Sequence, residues 1–250
     1  MPSRWLPILP ALALAGCGVA DAGPGHSTAD GEVIAMGGGD GGVAHACFSC
    51  HGLDGGGDGA LAPRLAGLDP GYLHRQLDDY ASGRRAHKAM RTIARRLSPD
   101  ARARVSAHYA GMAFAPRAAS PADVEGAVLY AQGDPERGLA ACAFCHGVDG
   151  EGVGRGNPPL AGQSAAYVAD QLEAWRSGLR QNDPMGEMLA VSRLLTPDEV
   201  RAVSRHAASL SGGADPREAP AASLPARRGD RHNDASTPPR HGAAPGSAGR

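Results

Sequence analysis

The pattern Cys-x-x-Cys-His occurs twice, as Cys47-Phe48-Ser49-Cys50-His51 and Cys142-Ala143-Phe144-Cys145-His146, with the copies 95 residues apart. Two thiols at this spacing reach neighbouring vinyl groups of one haem and add across them. The adjoining histidine then lies beneath the ring as a ligand to iron. A chain built this way has to fold around two covalently held porphyrins. The same residues in other settings make a four-thiolate zinc site, a thioredoxin-like redox pair, or disulfides. A zinc site does not require His51 and His146 directly after the pairs, and a thioredoxin motif needs a βαβ setting that the flanking sequence lacks.

The motifs sit inside a longer internal repeat. The glycine of a Leu-Ala-Gly triplet follows each histidine by 16 residues, in Leu65-Ala66-Gly67 and Leu160-Ala161-Gly162. Tyr72 then matches Tyr167, Gln76-Leu77 matches Gln171-Leu172, Tyr80 matches Trp175, and Ser82-Gly83 matches Ser177-Gly178. After an offset of three residues, Leu97-Ser98-Pro99-Asp100 matches Leu195-Thr196-Pro197-Asp198. One haem domain has been duplicated.

The repeat reads as helical throughout, an all-α fold of two tandem domains. Tyr72, Leu73, Gln76, Leu77 and Tyr80 recur at i, i+3, i+4 spacing and predict a helix from Asp69 or Pro70 to about Ser82, stopped by Gly83. Ser98-Pro99-Asp100 and Thr196-Pro197-Asp198 have a capping residue followed by proline, and open helices to about Gly111 and Leu210. Ala122 to Gln132 reads as the first helix of the second domain. The matching stretch before Cys47 is Gly-rich, so the first domain's opening helix is expected to be short or frayed. The Gly-rich runs Asp54–Gly59 and Asp149–Gly156 lack the Gly-Lys-Ser/Thr ending of a phosphate loop and read as haem-side loops.

The fifth cysteine, Cys17, ends Leu14-Ala15-Gly16-Cys17 behind Arg4 and an apolar stretch. That is a secretory signal, with an apolar run well short of the roughly 20 residues of a membrane-spanning helix. Leu-Ala-Gly-Cys resembles a bacterial lipobox, which makes Cys17 the expected lipidation site; the other reading is an ordinary signal peptide with an incidental cysteine. The expected organisation is a signal peptide (1–16), a flexible lipid-anchored tether (17–40), a first haem domain (41–113), a linker (114–121), a second haem domain (122–211) and a Pro/Arg/Ala/Gly-rich tail (212–250). Tether and tail lack sustained apolar periodicity and are expected to be disordered. Aromatic residues make up only 4% of the chain. Domains this small are marginal on their own side chains, and a buried porphyrin supplies the missing apolar bulk.

Each iron has a second axial position. Met90 lies eight residues before Ser98 and Met188 eight before Thr196, so the repeat pairs them as axial ligands. A thioether favours Fe(II) and raises the potential relative to a second histidine, and a filled position blocks substrate. Met185 is a rival to Met188. Met112 reads as core, and His45, His74, His87, His108 and His206 are alternative ligands that more often pack or face solvent.

With these motifs the chain resembles a dihaem class I cytochrome c of the cytochrome c4 family over about residues 41 to 211. The resemblance implies two helical domains with facing haems across a pseudo-twofold interface, and two haem c groups. It also implies that the carbonyls of Pro63 and Pro158, each 12 residues after its histidine, accept a hydrogen bond from His51 and His146. The implied role is a one-electron carrier on the periplasmic side of the envelope, between a quinol-oxidising complex and a terminal oxidase or other acceptor, without catalysis of its own. The rivals are a cytochrome subunit of a dehydrogenase or oxidase complex, a dihaem peroxidase, and a thiosulfate dehydrogenase-like enzyme.

Residues 41–112 have ten basic and six acidic side chains, and residues 136–210 have seven and nine. Arg84, Arg85, Lys88, Arg91, Arg95 and Arg96 crowd around Met90, either as a docking side for acidic redox partners or as a solvated helix face. The near-zero net charge and a basic cluster without interleaved aromatics give no support to nucleic-acid binding. An alkaline pyridine haemochrome assay is expected to return two haem c per polypeptide, and a value of one would refute the duplicated-domain reading.

Overall fold

The computed structural model describes residues 30–114 and 123–212. Ten α-helices lie among these residues: α1 Gly31–Gly37, α2 Phe48–His51, α3 Pro70–Ser82, α4 Lys88–Arg96, α5 Pro99–Ala110, α6 Val124–Gln132, α7 Cys142–His146, α8 Ala165–Arg176, α9 Glu187–Leu194 and α10 Pro197–Ser209. The described residues contain no strand, only isolated bridges. The signal peptide, Cys17, most of the linker and nearly all of the tail fall outside the described residues.

The helix starts follow from local chemistry. Asp69 accepts the Tyr72 N–H at 2.8 Å and Pro70 follows it, so α3 begins where the chain already has its first turn fixed. Gly83, at φ 91°, ends it. Ser98 caps α5 through the Ala101 N–H at 3.0 Å. Thr196 and Glu199 close a reciprocal capping box on α10.

The two halves pack alike. In the first, α1 and α3 lie on α5, with α4 on α3; in the second, α6 and α8 lie on α10, with α9 on α8. Each core is small. Ile34, Leu68, Tyr72, Leu73, Leu97, Val105 and Tyr109 dominate one, and Leu129, Tyr130, Leu139, Leu172, Leu195, Val200 and Val203 the other.

Three expectations need correction. The tether does not run to residue 40: Gly31–Gly37 is helical and buries Ile34 completely in the first core, so that domain begins near residue 31. Burial of Ile34 and Ala35 outweighs the poor helix propensity of the surrounding glycines. At the linker's start, Phe114 lies under the Arg64 guanidinium at 4.2 Å from the ring centre and against Gly162, and so packs where the two halves meet. Arg85 is not part of a surface cluster; it is 4% exposed, for reasons given below.

The helix crossings explain two glycines. A Cβ on Gly31 would lie 2.2 Å from the Arg104 carbonyl oxygen of α5, and one on Gly126 would lie 2.1 Å from the Ala202 carbonyl oxygen of α10. Both crossings are therefore backbone against backbone, and the glycines extend the 95-residue repeat into the opening helices. Gly126→Ala is expected to lower stability by about 2–3 kcal/mol, because the clash is with a carbonyl that cannot rotate away. Gly37→Ala, where a Cβ meets open space, is expected to be nearly neutral. Guanidinium unfolding of the holoprotein followed by circular dichroism checks the pair.

Candidate functional site

The first motif places Cys47 at the cap of α2 and the second opens α7 with Cys142, and each short helical turn ends on its histidine. Both imidazoles are buried, His51 at 7% and His146 at 8% exposure. Their Nδ1 atoms donate to the carbonyl oxygens of Pro63 at 2.8 Å and Pro158 at 2.9 Å. A carbonyl only accepts, so the proton is on Nδ1 and the Nε2 lone pair is free to bind a metal. Burial holds both rings below their usual pKa, which keeps them neutral. Burial likewise pushes the thiols of Cys47 and Cys142 up to about 11.

The loops that bring the prolines back are superimposable in their bonding. Gly57 N–H donates to the His51 carbonyl at 2.9 Å, and Gly152 N–H to the His146 carbonyl at 2.8 Å. Leu65 and Ala66 N–H both donate to the Gly55 carbonyl, as Leu160 and Ala161 do to that of Gly150. The Leu-Ala-Gly triplets thus anchor the return of the chain that carries each proline.

The donor set suits haem c. No disulfide links the four cysteines. No group of three or more His, Cys, Asp or Glu side chains converges among the described residues. Leu53 and Leu61, which follow the first motif in the chain, and Val148 and Val153, which follow the second, are large apolar side chains left exposed by the polypeptide.

Met90 lies in the first turn of α4 and Met188 in the first turn of α9, both half-buried, and Met188 packs on the second core. Two capping contacts set these turns. His87 Nδ1 accepts the Met90 N–H at 3.2 Å, and Asp183 accepts the Met188 N–H at 2.5 Å. Met185 is 78% exposed, and Met112 packs on the first core. Of the other histidines, His74 at Nε2 and His206 at Nδ1 have buried ring nitrogens without a hydrogen-bond partner among the described residues. His45 bonds the Gly41 carbonyl, His74 neighbours Asp78, and His108 and His206 lie edge-on to Tyr109 and Tyr130.

The two domains meet across a polar junction that the sequence did not disclose. Arg85 and Arg180, equivalent in the repeat, face each other in an antiparallel bridge. Ala86 N–H donates to the Leu179 carbonyl and Gln181 N–H to that of Arg84, both at 2.7 Å. Arg85 donates to Gln76 at 2.9 Å, Tyr167 at 2.7 Å and Gln171 at 2.5 Å; Arg180 donates to Gln171 at 2.8 Å and Gln76 at 3.2 Å. The residues matched in register, Tyr72 with Tyr167 and Gln76 with Gln171, are therefore interface residues. Burial and the adjacent Arg85 charge push Arg180 below the usual arginine pKa.

Two buried imidazoles beside paired thiols, each in its own small helical domain, define a dihaem electron carrier of c type. The chain belongs to the cytochrome c family, which it matches twice, over residues 39–133 and 124–211. Within that family it is of the dihaem cytochrome c4 type. It is 44% identical over 187 residues to the thiosulfate dehydrogenase electron acceptor of Stutzerimonas stutzeri (strain A1501), an alignment covering 73% of this chain and 87% of that protein. Reduced recombinant cytochrome c4 from Pseudomonas stutzeri superposes with a TM-score of 0.62 at 32% identity, covering 66% of this chain and 93% of that one. Thiosulfate dehydrogenase (TsdBA) from Marichromatium purpuratum superposes with a TM-score of 0.65 at 42% identity, covering 74% of this chain but only 41% of that longer one.

Proposed function

We propose that this chain takes single electrons from a thiosulfate dehydrogenase on the periplasmic side of the envelope and passes them to a respiratory acceptor such as a terminal oxidase. A quinol-oxidising complex is a second donor of the same kind. The observation that carries this reading is the 44% identity to a thiosulfate dehydrogenase electron acceptor over 87% of its length. Cys47 and Cys50 hold one haem and Cys142 and Cys145 the other, with His51 and His146 as proximal ligands. The bound groups supply the one-electron Fe(III)/Fe(II) couple.

The rest is the work of the polypeptide. Pro63 and Pro158 fix the imidazole rings and strengthen their donation to the metal. Met90 and Met188 would be the second ligands of the two irons, each supplying a neutral, soft sulfur that favours the reduced state and leaves no position for substrate. In this reading Cys17 is the lipidation site that holds the chain at a membrane surface.

The face of α4 is the proposed docking side. Lys88, Arg91, Arg95 and Arg96 are exposed and have no ion pair among the described residues, and α4 contains no acidic residue. The equivalent α9 has Glu187 and Arg193 and no such excess. An acidic partner surface is steered to the first domain.

Thiosulfate alone is expected to leave the oxidised protein unchanged, whereas a trace of thiosulfate dehydrogenase added with it reduces both haems. Reduction by thiosulfate without the dehydrogenase would instead establish an enzyme. With the donor present, the reduction rate is expected to fall with ionic strength, and Arg95→Glu is expected to slow it about tenfold at low salt. Oxidised protein is expected to show the weak far-red sulfur-to-iron band of methionine ligation. Met90→Ala and Met188→Ala should each remove about half of it, and a full-strength band in both variants would exclude these ligands.

A further inference from the structure

The repeat is broken at one position next to each proline, and the break is chemical. The first domain has Pro63-Arg64 where the second has Pro158-Pro159. The peptide group between Pro63 and Arg64 carries both the carbonyl that accepts from His51 and the N–H of Arg64. That N–H donates to Gln163 Oε1 of the second domain at 3.0 Å, and Gln163 Nε2 donates back to the Arg64 carbonyl at 2.9 Å. The reciprocal pair fixes which end of the amide is oxygen, since the N–H needs an acceptor and the carbonyl a donor.

Gln163 is 6% exposed and Arg64 4%. Arg64 is locked from the other side as well, through Nη1 to the Ala66 carbonyl at 2.6 Å and Nη2 to the Ala161 carbonyl at 3.0 Å. In the second domain the same relay cannot exist. Pro159 has no N–H to donate. In the register of the repeat the counterpart of Gln163 is Leu68, a 3% exposed core residue of the first domain without a polar group.

We propose that Gln163 is a positioning residue for the first haem alone, acting through the line His51 Nδ1–H to Pro63 carbonyl, Arg64 N–H to Gln163 Oε1. Hydrogen bonds in series polarise one another, so an acceptor on the N–H side of a peptide makes its carbonyl a better acceptor. A stronger bond at Nδ1 raises the basicity of His51 at Nε2 and favours the oxidised metal. The second domain thereby lowers the potential of the first haem, while the Pro158–Pro159 peptide leaves the second untouched. Electrons in the half-reduced protein are biased toward the second haem. This inference rests on His51 being the proximal ligand.

The test is a spectroelectrochemical titration of the intact holoprotein, with each step assigned to its haem by paramagnetic NMR of the haem methyl groups. Gln163→Met keeps the side chain's length and removes both polar atoms. It is expected to raise the midpoint of the first haem and leave the second in place, shifting the internal electron equilibrium by about threefold, or about 28 mV at 59 mV per tenfold for one electron. Gln163→Glu keeps the acceptor and is expected not to raise the first midpoint. Equal shifts at both haems, no shift in Gln163→Met, or a rise in Gln163→Glu matching that of Gln163→Met would overturn the proposal. Low-spin spectra report the ligand set independently of the midpoints. A wild-type protein without a histidine-ligated first haem would therefore show the ligand reading wrong rather than the relay.

Discussion

A buried imidazole tied by Nδ1 to a proline carbonyl is the interaction on which both halves of this protein depend. An imidazole with less than a tenth of its surface exposed cannot leave its N–H without an acceptor. The chain must therefore return to it within a dozen residues. Bonds on both sides of the proline serve that return: before it the glycine N–H bonded to the histidine's own carbonyl, and after it the Leu-Ala pair gathered on the Gly55 or Gly150 carbonyl. The outcome is a ring of fixed tautomer whose remaining nitrogen is available to a metal. The same bond thus sets the loop's path and the site's chemistry.

The second constraint is the junction between the halves. Two like charges, Arg85 and Arg180, are buried within one hydrogen-bonded set of tyrosine and glutamine side chains contributed by both domains. Charges removed from water hold only where their donors are satisfied, and here the acceptors Gln76 and Gln171 are each shared by both guanidinium groups. Such a network has few alternative arrangements, which ties the relative placement of the halves to the register of the repeat. It is also reinforced unequally. Asn182 reaches Gln76 at 2.7 Å and Asp79 at 2.9 Å from the second half, and Gln163 clasps the Arg64 backbone, while Arg64 returns a bond to the Ala161 carbonyl at 3.0 Å and Leu68, the counterpart of Gln163, has no polar group to offer.

Duplication gives two similar sites, and small departures from the repeat make them different. The bare cationic face of α4, set against the mixed charges of α9, distinguishes what each half presents to a partner. The replacement of Arg64 by a proline in the second copy removes one N–H and with it one path by which a neighbour can act on the site. Neither difference alters the helical scaffold.

The two haem-attachment motifs were legible in the sequence because their chemistry is local. Two thiols and a histidine within five residues, and a capping residue before proline, act over a single turn and need no distant partner. The same holds for α3, α5 and α10, whose caps lie where the residue types place them. What the sequence did not disclose involves contacts between segments far apart in the chain. α1 is Gly-rich and weak in propensity, and it is a helix because Ile34 finds the first core and Gly31 lets it touch α5. α4 and α9 were hidden by their arginines and by the short span of their apolar stripe, Met90, Ile93 and Leu97 in one and Met188, Val191 and Leu195 in the other. Arg85 looks like any member of a basic run until the second domain buries it. The cofactor's attachment, the duplication and the helix ends were set by residue chemistry within a turn or two. Which glycine carries a helix crossing was decided by the packing of helices within each half, and which arginine is inside and which peptide feels its neighbour by the packing of one half against the other.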